Sequence, residues 1–155
     1  MAPSRQRFAI RAGRTSATPR AGTRLLLYTT RGCYRNPTRD RGLVMGPGMV
    51  TSEARLLNEQ VTFRGREFRA GFGVDIEEVP PPHLGVELDR FAKRLDALPD
   101  PASWSVRLRR SLVSLSASEA RTLITALKPR LRPVDEQLSA YAEACRVSLD
   151  VGRPL

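Results

Sequence analysis

Residues 25–41, LLLYTTRGCYRNPTRDR, hold the strongest apolar and the strongest polar signal of this chain side by side. Leu25-Leu26-Leu27-Tyr28 is a continuous apolar run of strand length, the pattern of a strand buried on both faces. Thr29 and Thr30 lead from it into a polar loop, residues 31–41, that carries Arg31, Tyr34, Arg35, Asn36, Thr38, Arg39, Asp40 and Arg41. Loops that leave the end of a rigid strand are where binding groups are usually displayed. The alternative is a solvated loop whose arginines only keep the protein soluble.

Charge separates the two readings. The 155 residues carry 26 Lys and Arg against 16 Asp and Glu, a net charge of +10. Ten of those bases, all arginine, fall in residues 1–41 against a single acid, Asp40, so nine of the ten excess charges lie there. The rest of the chain has sixteen bases and fifteen acids and is nearly neutral. Arginine outnumbers lysine by 24 to 2, a bias that inflates arginine everywhere but does not explain why acids avoid the first forty residues. Such polarity is expected of a surface that faces phosphate, where each neutralised phosphate releases a counterion and strengthens binding.

Length and composition bound the remaining classes. The chain is long enough for one domain with a sizeable core. Cys33 and Cys145 are far apart and form no CxxC pair, so neither a disulfide framework nor a zinc site is expected, and a reducing cytoplasm is the expected compartment. No apolar run approaches the roughly twenty residues that span a bilayer, so no membrane partner is expected.

Along the chain, residues 1–23 read as an Arg-rich flexible arm, tethered by Phe8 and Ile10 and turned into the first strand by residues 19–23. Strand residues 43–51 are interrupted by Gly46-Pro47-Gly48, which implies a hairpin or a bent, bulged strand. Residues 52–60 carry Leu56-Leu57 and a turn at Asn58, and Val61-Thr62-Phe63 alternates. From Glu67 to Val79, Phe68, Ala70, Phe72, Val74 and Ile76 repeat at the period of a half-buried strand, ended by Pro80-Pro81-Pro82. Gly71 and Gly73 fall on its other face, where they allow curvature or the approach of a ligand.

Then the period changes. Leu88, Phe91, Leu95 and Leu98 share one face of a helix over residues 85–98, stopped by Pro99. A strand follows over residues 104–110, with Trp104, Val106 and Leu108 on one face and Ser105, Arg107 and Arg109 on the other. Ser116-Ala117-Ser118-Glu119 is a capping box opening a helix that buries Ala120, Leu123, Ile124 and Leu127. A last helix over residues 134–145 has Val134, Leu138, Tyr141 and Cys145 on one stripe. The sum is an α+β fold, a curved, mostly antiparallel sheet of five to six strands closed as a small barrel with two to three flanking helices.

Catalysis finds little support. His83, the only histidine, sits beside three prolines and reads as a loop residue. Asp75, Glu77 and Glu78 are the best carboxylate group, and Asp75 and Glu77 share a strand face as a metal-dependent nuclease pair would, but no lysine follows at nuclease-like spacing. Gly46-Pro47-Gly48 lacks the lysine and hydroxyl of a phosphate-cradling loop. No catalytic residue, metal or cofactor is assigned. Binding fits better: Tyr34 and Trp104 offer flat rings for base stacking, Tyr28 reads as structural, Asn36 and Thr38 offer polar contacts, and Arg31, Arg35, Arg39, Arg41, Arg107 and Arg109 offer phosphate contacts. Asp40 is expected to order the loop through Arg39 or Arg41.

The order of elements resembles the EVE domain of the PUA-like superfamily, which also includes YTH and ASCH domains. The residues that carry the likeness are Arg24 through Arg31 as RLLLYTTR, Arg41 through Gly46 as RGLVMG leading to Met49-Val50-Thr51-Ser52, and the closing run. That run is Gly85-Val86-Glu87-Leu88, Phe91, Leu95, Leu98, then Ser103 through Leu112 as SWSVRLRRSL, then Leu115 and a short helix. It spans about residues 24–127. EVE domains usually open with a strand and a helix before this segment, and here a short Arg-rich arm stands in that place. The resemblance implies a PUA-like domain over residues 24–128, followed by a C-terminal helical extension over 129–155. It implies nucleic-acid binding, RNA or DNA, in some such domains with a modified base held in a pocket. The loop 31–41 and the strand 104–109 would border that pocket. Two alternatives stay open: an ASCH-like enzyme acting on RNA or nucleosides through Asp75 and Glu77, and a protein-interaction module docking through the helix 134–145.

Overall fold

The computed structural model describes residues 6–10, 19–30, 41–63, 66–98 and 112–150. It is an α+β fold of antiparallel strands with three α-helices among those residues. The strands are β1 (Gln6–Ile10), β2 (Arg24–Thr29), β3 (Leu43–Val50), β4 (Arg55–Phe63), β5 (Arg66–Asp75), β6 (Glu78–Val79), β7 (Val86–Glu87) and β8 (Arg132–Pro133). The helices are α1 (Asp89–Ala92), α2 (Ala117–Leu127) and α3 (Val134–Asp150), with a 3₁₀ turn at Lys128–Arg130. The pairings described form no closed barrel. No helix among the described residues is long and apolar enough to cross a membrane. The chain divides into two compact units, Met1–Leu25 with Gly48–Glu77, and Leu26–Pro47 with Glu78–Leu155. Two of the three divisions fall inside strands, β2 and β3, and the third falls between Glu77 and Glu78, after β5.

In the first unit β5 is central. Its alternation works as the sequence implies: Phe72, Val74 and Ile76 are buried, while Glu67 and Arg69 are exposed. β1 lies antiparallel along one edge, from Gln6 opposite Val74 to Ile10 opposite Ala70. Residues 6–10, expected within a loose arm, are therefore a strand, with Phe8 opposite Phe72 in the register. Residues 20–23 form the expected turn, in which the Thr23 amide donates to the Arg20 carbonyl at 3.0 Å and the Gly22 amide to Val50 at 2.8 Å. On the other edge β3 reaches β5 through Met49 opposite Asp75 and Val50 opposite Val74, and β4 pairs from Arg55 opposite Gly71 to Phe63 opposite Arg66. Between Leu56 and Val61 the register shifts, because four residues of β4 stand where β5 has one. Asn58, expected at a turn, lies in that bulge.

Gly73 is explained by the chain itself rather than by a ligand. Its amide donates to Ser52 Oγ at 2.8 Å, and a Cβ at this position would run into Thr51 Oγ1. The first two of the four residues that lead from β3 to β4 thus cross directly over the glycine. Its carbonyl also accepts from the Thr51 amide at 2.9 Å. A side chain there would have to displace this crossing.

The second unit holds the larger described core. Leu123 and Leu127 of α2 are 1% and 0% exposed and pack with Val44, Val86, Leu88, Ala92, Leu95 and Leu98. Emptying such a site by Leu→Ala typically costs about 2–5 kcal/mol. β3 runs unbroken through Gly46-Pro47-Gly48, so the hairpin reading falls. Its first residues pair with β7, Leu43 opposite Glu87 and Val44 opposite Val86. β2 is half-buried rather than buried on both faces, with Leu26 and Tyr28 packed against the core.

Of the stripe over residues 88–98, Leu88, Leu95 and Leu98 are buried and Phe91 is partly buried, but the regular helix is short. After α1 the amides of Arg94, Leu95 and Leu98 donate three residues back, to Phe91, Ala92 and Leu95, at 2.8–3.3 Å. These are tighter turns than an α-helix makes. The Ala97 amide leaves this pattern and donates to Glu119 Oε1 at 2.9 Å. The same carboxylate closes the capping box of α2: its Oε2 accepts from the Ser116 amide at 2.6 Å, while the Glu119 amide donates to Ser116 Oγ at 3.3 Å. Glu119 is buried, and the amide of Ala97 and the hydroxyl and amide of Ser116 lower its pKa from the ordinary glutamate value. α3 continues to Asp150, beyond the expected end. Val134 is buried and the Tyr141 hydroxyl donates to the Pro80 carbonyl at 2.8 Å, but Leu138, expected on the buried stripe, is exposed.

Glu119→Ala leaves the Ala97 and Ser116 amides without this acceptor and is expected to cost roughly 1–3 kcal/mol in urea denaturation. Because the folded-state pKa is lowered, the stability Glu119 confers is complete above its unfolded value, about pH 4.3, and is lost as pH falls through the folded value. The gap between wild type and Glu119→Ala should therefore narrow below about pH 4. Gly73→Ala should shift the urea midpoint downward by the equivalent of about 1–3 kcal/mol, the usual cost of overpacking.

Candidate nucleic-acid interface

The loop expected to carry binding groups starts from β2 and returns at Arg41. Its two ends are tied together in the second unit: Thr29 Oγ1 donates to the Leu43 carbonyl at 3.4 Å. Tyr28 occupies the space above Gly42, where a Cβ would strike the phenol oxygen and ring. With its ring also on the core, Tyr28 has the structural role expected of it. Of the expected contact residues, Arg41 is described. Arg31, Tyr34, Arg35, Asn36, Thr38 and Arg39 of the loop, and Trp104, Arg107 and Arg109 of the expected strand, lie outside the described residues, as do Cys33 and Asp40.

Arg41 meets a partner that its own neighbourhood in sequence does not suggest. The β3–β7 ladder sets Leu43 opposite Glu87, and the Leu88 amide extends it by donating to the Gly42 carbonyl at 3.2 Å. Arg41 is thereby carried alongside Glu87, and its Nη1 lies 3.2 Å from Glu87 Oε2. Arg90, three residues on in the first turn of α1, places its Nε 3.2 Å from the same oxygen. Both arginine side chains are 69% exposed, whereas that of Glu87 is 25% exposed. One residue turn further, the Arg94 guanidinium lies 4.8 Å from the centre of the Phe91 ring. The sequence reading missed Glu87 and Arg90. The i,i+3 spacing of opposite charges was the available local signal; the pairing with Arg41 across 46 residues had none.

The two carboxylates considered for catalysis differ in burial. Asp75 is the last residue of β5 and its Oδ1 is buried without a hydrogen-bond partner, while Glu77 lies beyond the strand end and is exposed. His83 has a left-handed backbone, φ 67°, in the turn after the three prolines, which agrees with a loop role. No group of three or more His, Cys, Asp or Glu side chains suited to a metal ion occurs among the described residues.

No family model matches the chain, and comparison with curated proteins and with solved structures returns no match.

Exposed ion pairs contribute little to stability, typically about 0–1 kcal/mol. Arg41→Ala should accordingly leave the thermal midpoint within about 3 °C of wild type, as expected for a change of less than about 0.5–1 kcal/mol. A larger loss would assign Arg41 to the core of the fold.

Proposed function

We propose that this protein is a non-catalytic nucleic-acid-binding module of the EVE type within the PUA-like superfamily, taking RNA or DNA, with a modified base as the group it reads. The observation that carries the reading is the charge polarity of the chain: ten arginines and one acid in residues 1–41, against near neutrality elsewhere. Phosphate affinity would come from the loop 31–41 and from Arg107 and Arg109, with Tyr34, Asn36, Thr38 and Trp104 towards the base. The order of strand, basic loop, strand and closing leucine stripe supports the family assignment. The exposed guanidinium of Arg41, at the end of the loop, is consistent with a phosphate-facing role.

A second reading, an ASCH-like enzyme acting on RNA or nucleosides, draws on the buried, unpartnered Oδ1 of Asp75. A carboxylate oxygen left without a donor is costly and invites a functional explanation. Cleavage of RNA by the wild type and its loss in Asp75→Asn would establish that reading, and an inert wild type would remove it.

The principal test is a filter-binding titration of 20-nucleotide single-stranded RNA and DNA at several salt concentrations. Six or more phosphate contacts on a single strand predict a loss of about 300-fold or more in affinity between 50 and 200 mM salt. A flat response would overturn the proposal.

A further inference from the structure

The cluster formed by Arg41, Glu87 and Arg90 carries an inference of its own. Two guanidiniums converge on one carboxylate oxygen, each at 3.2 Å, so the three side chains together keep one positive charge. Each guanidinium offers five N–H donors in a planar fork, more than a shared carboxylate oxygen can accept. The carboxylate is the inner group and the two cations are the outer ones. Their backbones are fixed from two sides: Arg41 by the ladder that ends at the Gly42 carbonyl, Arg90 by the first turn of α1. Exposed Asp89 and Asp96 balance Lys93 and Arg94 close by, so diffuse attraction is weak here and geometry has to supply the selectivity.

We propose that Arg41 and Arg90, oriented by Glu87, form a binding site for a phosphate oxygen of a phosphodiester or polyphosphate chain. Planar, preordered guanidiniums suit two oxygens of one phosphate, which a pair of lysines would not match. Glu87 is a positioning residue: it holds both forks before the ligand arrives and reduces the side-chain entropy lost on binding. Arg94, four residues from Arg90 and stacked over Phe91, extends the cationic row along the chain. The inference rests on the nucleic-acid reading for its natural ligand and adds Arg90 and Glu87 to the residues that would serve it.

The test uses the full chain with two probes, a fluorescein-labelled 20-nucleotide single-stranded DNA followed by anisotropy against salt, and inorganic tripolyphosphate followed by calorimetry. Circular dichroism confirms folding of each variant. Arg90→Ala should reduce the slope of log affinity against log salt by about 1 and weaken tripolyphosphate binding. Arg132→Ala is the control, since its Nη1 already donates to the Pro129 and Leu131 carbonyls, and it should change neither. Glu87→Gln should weaken binding although it makes the protein more positive; tighter binding would overturn the positioning role. An unchanged slope in Arg90→Ala, with wild type binding DNA steeply, would overturn the site while leaving the proposed function standing. Tripolyphosphate binding lost in Arg90→Ala, with neither RNA nor DNA bound by wild type, would keep the site and remove the proposed function. Binding of tripolyphosphate, DNA and RNA all absent in wild type would overturn both.

Discussion

One carboxylate joins three parts of the larger core. Glu119 accepts from the Ala97 amide with one oxygen and from the Ser116 amide with the other, and its own amide is capped by the Ser116 hydroxyl. The first turn of α2 is thereby joined to the turns that follow α1, and the leucines of both segments meet: Leu95 and Leu98 on one side, Leu123 and Leu127 on the other. Hydrophobic burial supplies most of the energy, about 1.5–3 kcal/mol for each leucine fully removed from water. It does not by itself specify which turn meets which. The buried acid does, because the two amides it serves have directions and the leucines do not.

Such a division of labour explains what the sequence discloses and what it does not. The alternation from Phe68 to Ile76 and the Ser116 to Glu119 capping box are local patterns, and each forms as its spacing implies. The stripe of Leu88, Leu95 and Leu98 also predicts burial, yet tight turns carry most of it instead of a regular helix, because periodicity reports which residues face inward and not how the backbone gets there. Gly73 illustrates the opposite limit. Its presence suggests a close approach, and only the path of Thr51 and Ser52 reveals what approaches. β1 was hidden for a related reason: Arg5, Arg7 and Arg11 make its sequence resemble a solvated arm, while its backbone pairs with β5 some 64 positions away.

The candidate interface was legible as composition and much less as geometry. Arginine density drew attention to the loop after β2, and Arg41 is where that loop meets described structure. The partners of Arg41 come from β7 and α1, and no pattern around residue 41 points to them. A carboxylate between two cations adds little to folding energy, so selection for stability alone leaves its presence unexplained. Its value lies in orientation, since a guanidinium held in one rotamer presents a fixed set of donors.

β3 serves two partners with one backbone. Its Leu43 and Val44 pair with β7 and its Met49 and Val50 with β5. At the β7 end Leu43, Val44 and Met45 are all buried, so both faces of the strand are covered there. At the β5 end Val50 is buried and Met49 is exposed, the pattern of a strand with one face open to water. A charged side chain would therefore find solvent at position 49 and none at 43, 44 or 45, so one strand is held to two different rules of composition along its length.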